Sequence, residues 1–133
     1  MPKLTLPIIN NQAICEAFIY NNINHQQITF NNTNKVRVLF DTGATNSAVT
    51  SKVIKQLNIQ PISKRAILSP VGISEVNIYK VNIFLPFPQN IAFSQELLVS
   101  EIADNPTFDV IIGMDIIQQG CLIISDKVFI FSI

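Results

Sequence analysis

The sequence VLFDTGATNSAV, residues 38–49, joins an apolar run to a polar loop that holds a carboxylate, a hydroxyl and a glycine in a row. Asp41, Thr42 and Gly43 directly follow the run, so they can form a tight loop at the floor of a cleft, where the Thr42 hydroxyl can bond the backbone. The same residues also suit an Asx-type turn, in which the Asp41 side chain only caps the backbone. The triplet alone favours the turn, and the surrounding sequence has to decide.

The surrounding sequence is mostly of β type. Apolar and polar residues alternate at 3–9, 13–20, 26–30 and 35–40, and these segments are rich in Ile, Val and Phe. Such alternation predicts half-buried strands. The Asn-rich pieces between them predict turns, because Asn tolerates left-handed backbone conformations.

Residues 50–61 change period and predict one short helix. Val53, Ile54 and Leu57 share a helical face, Ser51 can cap the start, and Pro61 forbids continuation.

The second half of the chain predicts two hairpins around an apolar strand. The first hairpin spans 66–86, with its tip at Pro70 and Gly72 and a bulge near Tyr79, where the alternation slips. The apolar strand then runs into Gly113, and Gly120 can end a helical turn or two after it. A final hairpin turns at 125–127.

Size and charge restrict the function. A chain of 133 residues with 48% hydrophobic composition fits one domain, residues 1–133. With 14% charged residues and a net charge of +0, we expect neither nucleic acid nor a membrane as a partner. No apolar run approaches the roughly 18 residues of a membrane span. The first ten residues lack a secretory pattern, which predicts a cytoplasmic location.

The cysteine and histidine content argues against metal or thiol chemistry. Cys15 and Cys121 have neither metal-site spacing nor the density of a disulfide scaffold, so we expect buried free thiols. His25 is the only histidine and lies in a polar stretch that predicts a loop or a strand edge. We therefore expect no metal, no cofactor and no His-activated nucleophile.

Three motifs in order resemble one known family. VLFDTGATNSAV, a hairpin tipped by Gly72, and DVIIGMD at 109–115 are together similar to the retroviral-type (retropepsin-like) aspartic peptidases, in a cellular, prokaryotic member. The resemblance runs from about Ile28 to the C-terminus, and residues 1–27 have no assigned counterpart. It implies a mostly β, retropepsin-like half-barrel with a flap hairpin and one or two short helices.

The resemblance also implies roles for individual residues. Asp41 would be the catalytic aspartate, Thr42 would tie two active-site loops together, and Gly43 would let the substrate backbone approach. Ala44 marks the retroviral-type variant of this loop. The substrate-binding flap would carry Val71, Gly72 and Ile73 at its tip, and Gly113 with Asp115 would be structural.

The chain departs from the viral pattern at three points. Met114 and Thr45 stand where viral enzymes commonly carry a paired Arg and Asp, so both partners of that ion pair are missing together. The flap also has one glycine where viral flaps have several.

The resemblance implies an aspartic endopeptidase, and the chain supplies one of its two carboxylates. Two carboxylates share the work in this mechanism, one as general base on a water and one as general acid. One DTG triplet is present, so a homodimer must pair two copies of Asp41, with terminal strands such as VFIFSI as candidates for the dimer sheet.

Two other interpretations stay open on the sequence. A retropepsin-like module that binds peptide or dimerises without cutting has the same motifs. The letters of FDTGATNS also resemble the first phosphate loop of actin-type and chaperone ATPases, although a chain of 133 residues with four glycines lacks room for the remaining phosphate motifs.

Overall fold

A computed structural model describes residues 2–21, 34–88 and 92–133. These residues form ten strands and two short helices: β1 (Lys3–Pro7), β2 (Ala13–Tyr20), β3 (Lys35–Phe40), β4 (Ala48–Thr50), α1 (Ser51–Leu57), β5 (Ser63–Ser69), β6 (Gly72–Pro86), β7 (Ala92–Ile102), β8 (Val110–Ile112), α2 (Met114–Ile117), β9 (Cys121–Ser125) and β10 (Val128–Ser132). The prediction of a mostly β chain is confirmed. The predicted strand at 26–30 and His25 lie outside the described residues.

Seven strands form a sheet that closes on itself. Their order is β2-β3-β8-β4-β7-β6-β5, and β2 also pairs with β6, so six strands make a ring and β5 extends from it. Alternate residues of the ring fill its core: Val38 and Val110 are fully buried, and Phe40 is nearly so. The parallel pairing of β3 with β8 brings the carboxyl ends of these two strands together, because Phe40 lies opposite Ile112.

A second sheet of three strands, in the order β1-β10-β9, covers one side of this core. The rings of Phe129 and Phe131 in β10 pack on Phe40, with centroids 5.1 and 5.9 Å away. Asp126 and Lys127 have φ of 50° and 61° and make the two-residue turn from β9 to β10, as the sequence predicts.

The helix α1 forms where it is predicted, but its ends differ. It ends at Asn58, which adopts a left-handed C-cap (φ 53°) three residues before Pro61. Ser51 does not cap the start, because its hydroxyl donates to Glu101. The backbone N–H of Lys52 instead bonds the carboxylate of Asp104 at 2.8 Å, an acceptor that is distant in sequence.

The hairpin of β5 and β6 has no bulge, so that prediction is wrong. Its register is continuous from Ser63↔Ile78 to Ser69↔Gly72, and the pairing of β6 with β7 is continuous from Ile78↔Ser100 onward. The alternation slips because residues 81–85 are buried on both faces once β6 enters the closed sheet.

Three smaller predictions have different outcomes. Cys15 is a buried free thiol, as expected, whereas Cys121 is exposed. Gly120 does not end α2, whose C-cap is Gln118. A side chain at Gly120 would instead collide with the backbone of β10 and with the ring of Phe131.

No helix among the described residues is long and apolar enough to cross a bilayer.

Candidate active site

The loop after β3 fixes the backbone and one carboxylate oxygen of Asp41. The backbone N–H of Asp41 donates to the Ile112 carbonyl at 2.9 Å, which ties the start of the loop to the end of β8. The N–H of Gly43 donates to Asp41 Oδ1 at 2.9 Å, and the N–H of Ala44 donates to the Asp41 carbonyl at 3.1 Å. The Asx-type turn expected from the triplet is therefore present.

This turn leaves the carboxylate partly free. Asp41 is half-buried, and no described residue donates a hydrogen bond to its Oδ2 atom. A carboxylate held by one oxygen, with the other oxygen available, is suited to bind and deprotonate a water molecule. The observed Asx-type turn is therefore compatible with the catalytic role that the resemblance implies for Asp41.

A second loop, from Gly113 into α2, locks against the first. The N–H of Met114 donates to the Ala44 carbonyl at 2.8 Å. The N–H of Gly113 donates to the Ser47 hydroxyl at 3.1 Å. A Cβ atom at Gly113 would lie 2.7 Å from the Ala44 carbonyl oxygen, so only glycine allows the loops to approach this closely.

Asp115 completes this link through Ser47, which is fully buried. Its carboxylate accepts the Ser47 N–H at 2.9 Å and the Ser47 hydroxyl at 2.8 Å. These bonds agree with the structural role expected for Gly113 and Asp115. Ser47 was not singled out by the sequence, because its acceptor lies 68 positions away.

The link also explains how the loops hold together without the viral ion pair. Thr45 is exposed, and Met114 has 36% of its surface exposed. Neither side chain therefore joins the two loops through a buried apolar contact. The backbone bond from Met114 and the carboxylate of Asp115 carry the connection. Thr42 is exposed, and its hydroxyl bonds no described residue, so its predicted role in joining two loops stays a prediction.

The β5–β6 hairpin presents an apolar tip to solvent. Gly72 has φ of +125°, a conformation that favours glycine, and it follows the turn residue Val71. Val71 is 98% exposed, Ile73 76% and Leu68 81%. The predicted tip residues therefore lie together at the end of the hairpin, on its exposed surface.

A polar network lies where this hairpin enters the closed sheet. The carboxylate of Glu101 accepts hydrogen bonds from Ser51 at 2.6 Å and from the hydroxyl of Tyr79 at 2.9 Å. The bond from Ser51, with a smaller contribution from Tyr79, lowers the pKa of Glu101 against the opposing effect of burial. Burial, followed by the bond to Glu101, raises the pKa of Tyr79. The sequence gives no signal for this network, because its members come from three separate elements.

Among the described residues, no group of three or more His, Cys, Asp or Glu side chains could hold a metal ion.

Comparison with known proteins identifies the family. The family model described as "Aspartyl protease" matches residues 26–116, which is more than half of the chain. The chain belongs to the aspartyl protease family. No curated protein sequence matches this member of the family.

Solved structures agree on the fold. A retropepsin-like aspartic protease from Rickettsia conorii superposes with a TM-score of 0.69 at 15% identity, covering 97% of this chain and 89% of that one. The solution structure of Simian Foamy Virus (mac) protease superposes with a TM-score of 0.54 at 16% identity, covering 79% of this chain and 91% of that one. The fold of this aspartyl protease family member is retropepsin-like, as predicted.

Proposed function

We propose that the protein is an aspartic endopeptidase in which a water is activated between two Asp41 carboxylates of a homodimer. The observation that carries this proposal is the pair of interlocked loops, which holds Asp41 by one oxygen and leaves the other open. Membership of the aspartyl protease family supports a protease-type function. A peptide or protein is the proposed substrate.

In the proposed mechanism the two copies of Asp41 have different tasks. One carboxylate takes a proton from the water as it attacks the scissile carbonyl, and the protonated partner gives its proton toward the amide. Gly43 lets the substrate backbone come close, and Ala44 keeps the second loop in place through Met114. Thr42 is proposed to bond the partner's loop.

The β5–β6 hairpin is the proposed flap. Val71, Gly72 and Ile73 lie at its exposed tip, where they can cover a bound peptide and exclude water from the reaction. Pro70 in the turn has a fixed φ angle, and the tip contains one glycine, so its backbone has little conformational freedom. We therefore propose that this flap moves as a unit about its base near Ile78, where β6 passes from pairing with β5 to pairing with β7.

The proposed dimer uses an edge of β9 that pairs with no other described strand. The strand β10, whose sequence VFIFS suggested it for this role, has neighbours on both sides and therefore no free edge. The other edge strand, β1, carries Lys3 and Pro7, which discourage pairing. The edge of β9 has neither and exposes Ile123 (51%) and Ile124 (58%), so it suits antiparallel pairing with a second copy.

The dimer edge is tested by placing a charge on it. We expect Ile124→Lys to shift sedimentation from dimer to monomer and to reduce activity at equal protein concentration. The control is Ile62→Lys, because Ile62 is similarly exposed (55%) but lies before β5. A dimer that is unaffected by Ile124→Lys contradicts the proposed edge.

The catalytic proposal is tested with Asp41→Asn. The wild type is expected to cut peptides from a random library, and Asp41→Asn is expected to bind the same peptides without cutting them. Asp126→Asn is the matched control, because it makes the same chemical change at a left-handed turn position that Asn tolerates. If the wild type binds peptides and releases no product, the silent binding module is the correct interpretation. If Asp41→Asn cuts at the wild-type rate, Asp41 is not catalytic.

A further inference from the structure

One face of β3 connects Asp41 with a charged residue further back along the strand. Side chains alternate in a strand, so Arg37 and Leu39 lie on the face opposite to Val38 and Phe40, where Arg37 is exposed and Leu39 is buried. Asp41 directly follows the strand, two residues after Leu39. Neighbouring strands extend this face, with Ile111 opposite Leu39 on one side and Ile14 opposite it on the other. A strand rises by about 3.3 Å per residue, which puts Arg37 about 13 Å from Asp41 along the strand.

A cavity of about 370 Å³ opens at Arg37 on this face. Apolar walls come from Ile9, Ile14 and Pro106, and polar groups come from Gln12 and Thr107. Among the described residues that line it, Arg37 alone is charged. A second cavity of about 400 Å³ adjoins it through Arg37 and is lined by Glu16, Lys35 and Asp109. Arg37 therefore lines both cavities.

Hydrogen bonds fix the guanidinium group of Arg37 in place. Its Nη1 donates to the Pro106 carbonyl at 2.7 Å, and its Nε and Nη2 donate to the two carboxylate oxygens of Asp109 at 3.3 and 3.2 Å. Asp109 is itself held by the backbone N–H of Arg37 at 2.8 Å. A guanidinium has five N–H donors, so these three bonds leave two that no described residue accepts.

The two charges of this pair differ in exposure. The side chain of Arg37 is 44% exposed, whereas that of Asp109 is 14% exposed. The cavity of about 370 Å³ is therefore lined by an oriented guanidinium group, whereas the Asp109 carboxylate that pairs with this group is largely covered. A fixed guanidinium with open donors recognises a carboxylate better than a mobile ammonium does, because little side-chain entropy remains to be lost.

We infer that Arg37 is a specificity-determining residue that selects substrates with an acidic side chain three or four residues from the scissile bond. An extended peptide also rises by about 3.3 Å per residue, so this spacing covers the distance of about 13 Å from Asp41. The apolar walls suit the methylene groups of glutamate. In a two-fold dimer each protomer supplies one such cavity, so the acidic residue is accepted on either side of the bond. This inference rests on the proposed peptidase function.

The test separates binding from cleavage. Peptides are selected from a random library by binding to Asp41→Asn, and each is remade as a pair with Glu or Gln at the acidic position. We expect about three- to tenfold tighter binding of the Glu peptide at low salt, a preference that high salt weakens. Made in the Asp41→Asn protein, Arg37→Gln is expected to remove the preference, and Arg37→Lys is expected to keep part of it. The control Lys80→Gln removes the same charge from a surface pair with Glu96 and is expected to leave the preference unchanged.

The outcomes of the two proposals are distinguishable. Equal binding of Glu and Gln peptides by Asp41→Asn, or a preference that survives in Arg37→Gln, overturns the role of Arg37 whether or not the wild type cuts. Cleavage of both peptides by the wild type without a difference in kcat/KM overturns the role of Arg37 and leaves the peptidase intact. A clear Glu preference in binding without any cleavage supports the role of Arg37 and removes the peptidase. Circular dichroism of each variant verifies that it is folded.

Discussion

Replacing Asp115 by alanine tests the link that holds the two loops around Asp41. The change removes both acceptors of the fully buried Ser47, whose N–H and hydroxyl bond the Asp115 carboxylate at 2.9 and 2.8 Å. A hydrogen bond to a charged group contributes about 1.5–3 kcal/mol, so the two together reach at most about 6 kcal/mol. Asp115 is only half-buried, and water can enter the space that it leaves. We therefore expect a loss of about 3 kcal/mol in the free energy of unfolding.

Urea unfolding followed by far-UV circular dichroism measures this loss. With a slope of about 2 kcal/mol per molar urea, the unfolding midpoint should fall by about 1.5 M. The protomer concentration is kept constant, because the stability of a dimer depends on it. Glu96→Ala is the control: it breaks an exposed pair with Lys80 and should cost less than about 0.5 kcal/mol.

Combining Asp115→Ala with Ser47→Ala shows whether the loss arises from their contact. Ser47→Ala removes one of the two bonds and leaves the buried N–H of Gly113 without its acceptor. We expect the double variant to be more stable than the sum of the single losses predicts, by about 1–2 kcal/mol. Additive losses, or a midpoint shift below about 0.3 M for Asp115→Ala, would refute the reasoning.

Three further predictions concern single side chains. The pKa of Glu101 is lowered in the folded state from its ordinary 4.5, so its contribution to stability is present above that value and is lost as the pH falls through the lower folded value. The wild type should therefore lose more stability than Glu101→Gln between about pH 6 and pH 3.5, and equal losses in urea midpoint would contradict this. Thr50 Oγ1 is buried and bonds no described residue, so Thr50→Val should raise stability by about 1 kcal/mol, and a lower melting temperature would show that the hydroxyl has a partner. Burial raises the pKa of Cys15 to about 12, so native Cys121→Ser at about pH 8 should not react with a thiol reagent until it is unfolded.

The sequence predicts the parts of the fold that depend on local patterns. Alternation locates strands such as Lys35–Phe40, because a half-buried strand needs an apolar residue at every second position. The same rule fails in β6, where residues 81–85 are buried on both faces and the pattern loses its period. A bulge was therefore predicted where the strand only changes its environment.

The residues of the candidate site divide in the same way. Asp41 and Gly113 stand out because each follows an apolar strand, in a motif with few alternatives. Ser47 and Glu101 do not, because a serine or a glutamate acquires its role only from a partner that the fold brings close. The sequence also does not show that β10 is the central strand of its sheet, because strand order depends on pairing across the whole chain.

Mixing wild-type protein with Asp41→Asn tests most directly whether the active site contains an Asp41 from each of two chains. At equal amounts and after subunit exchange, random pairing leaves about a quarter of the dimers with two intact copies, so the activity per wild-type chain should halve. A larger excess of Asp41→Asn should suppress it further, and the chain-exchange step is verified with a size-tagged Asp41→Asn. Activity per wild-type chain that stays constant at every mixing ratio, with mixed dimers present, would contradict a shared pair of Asp41 carboxylates.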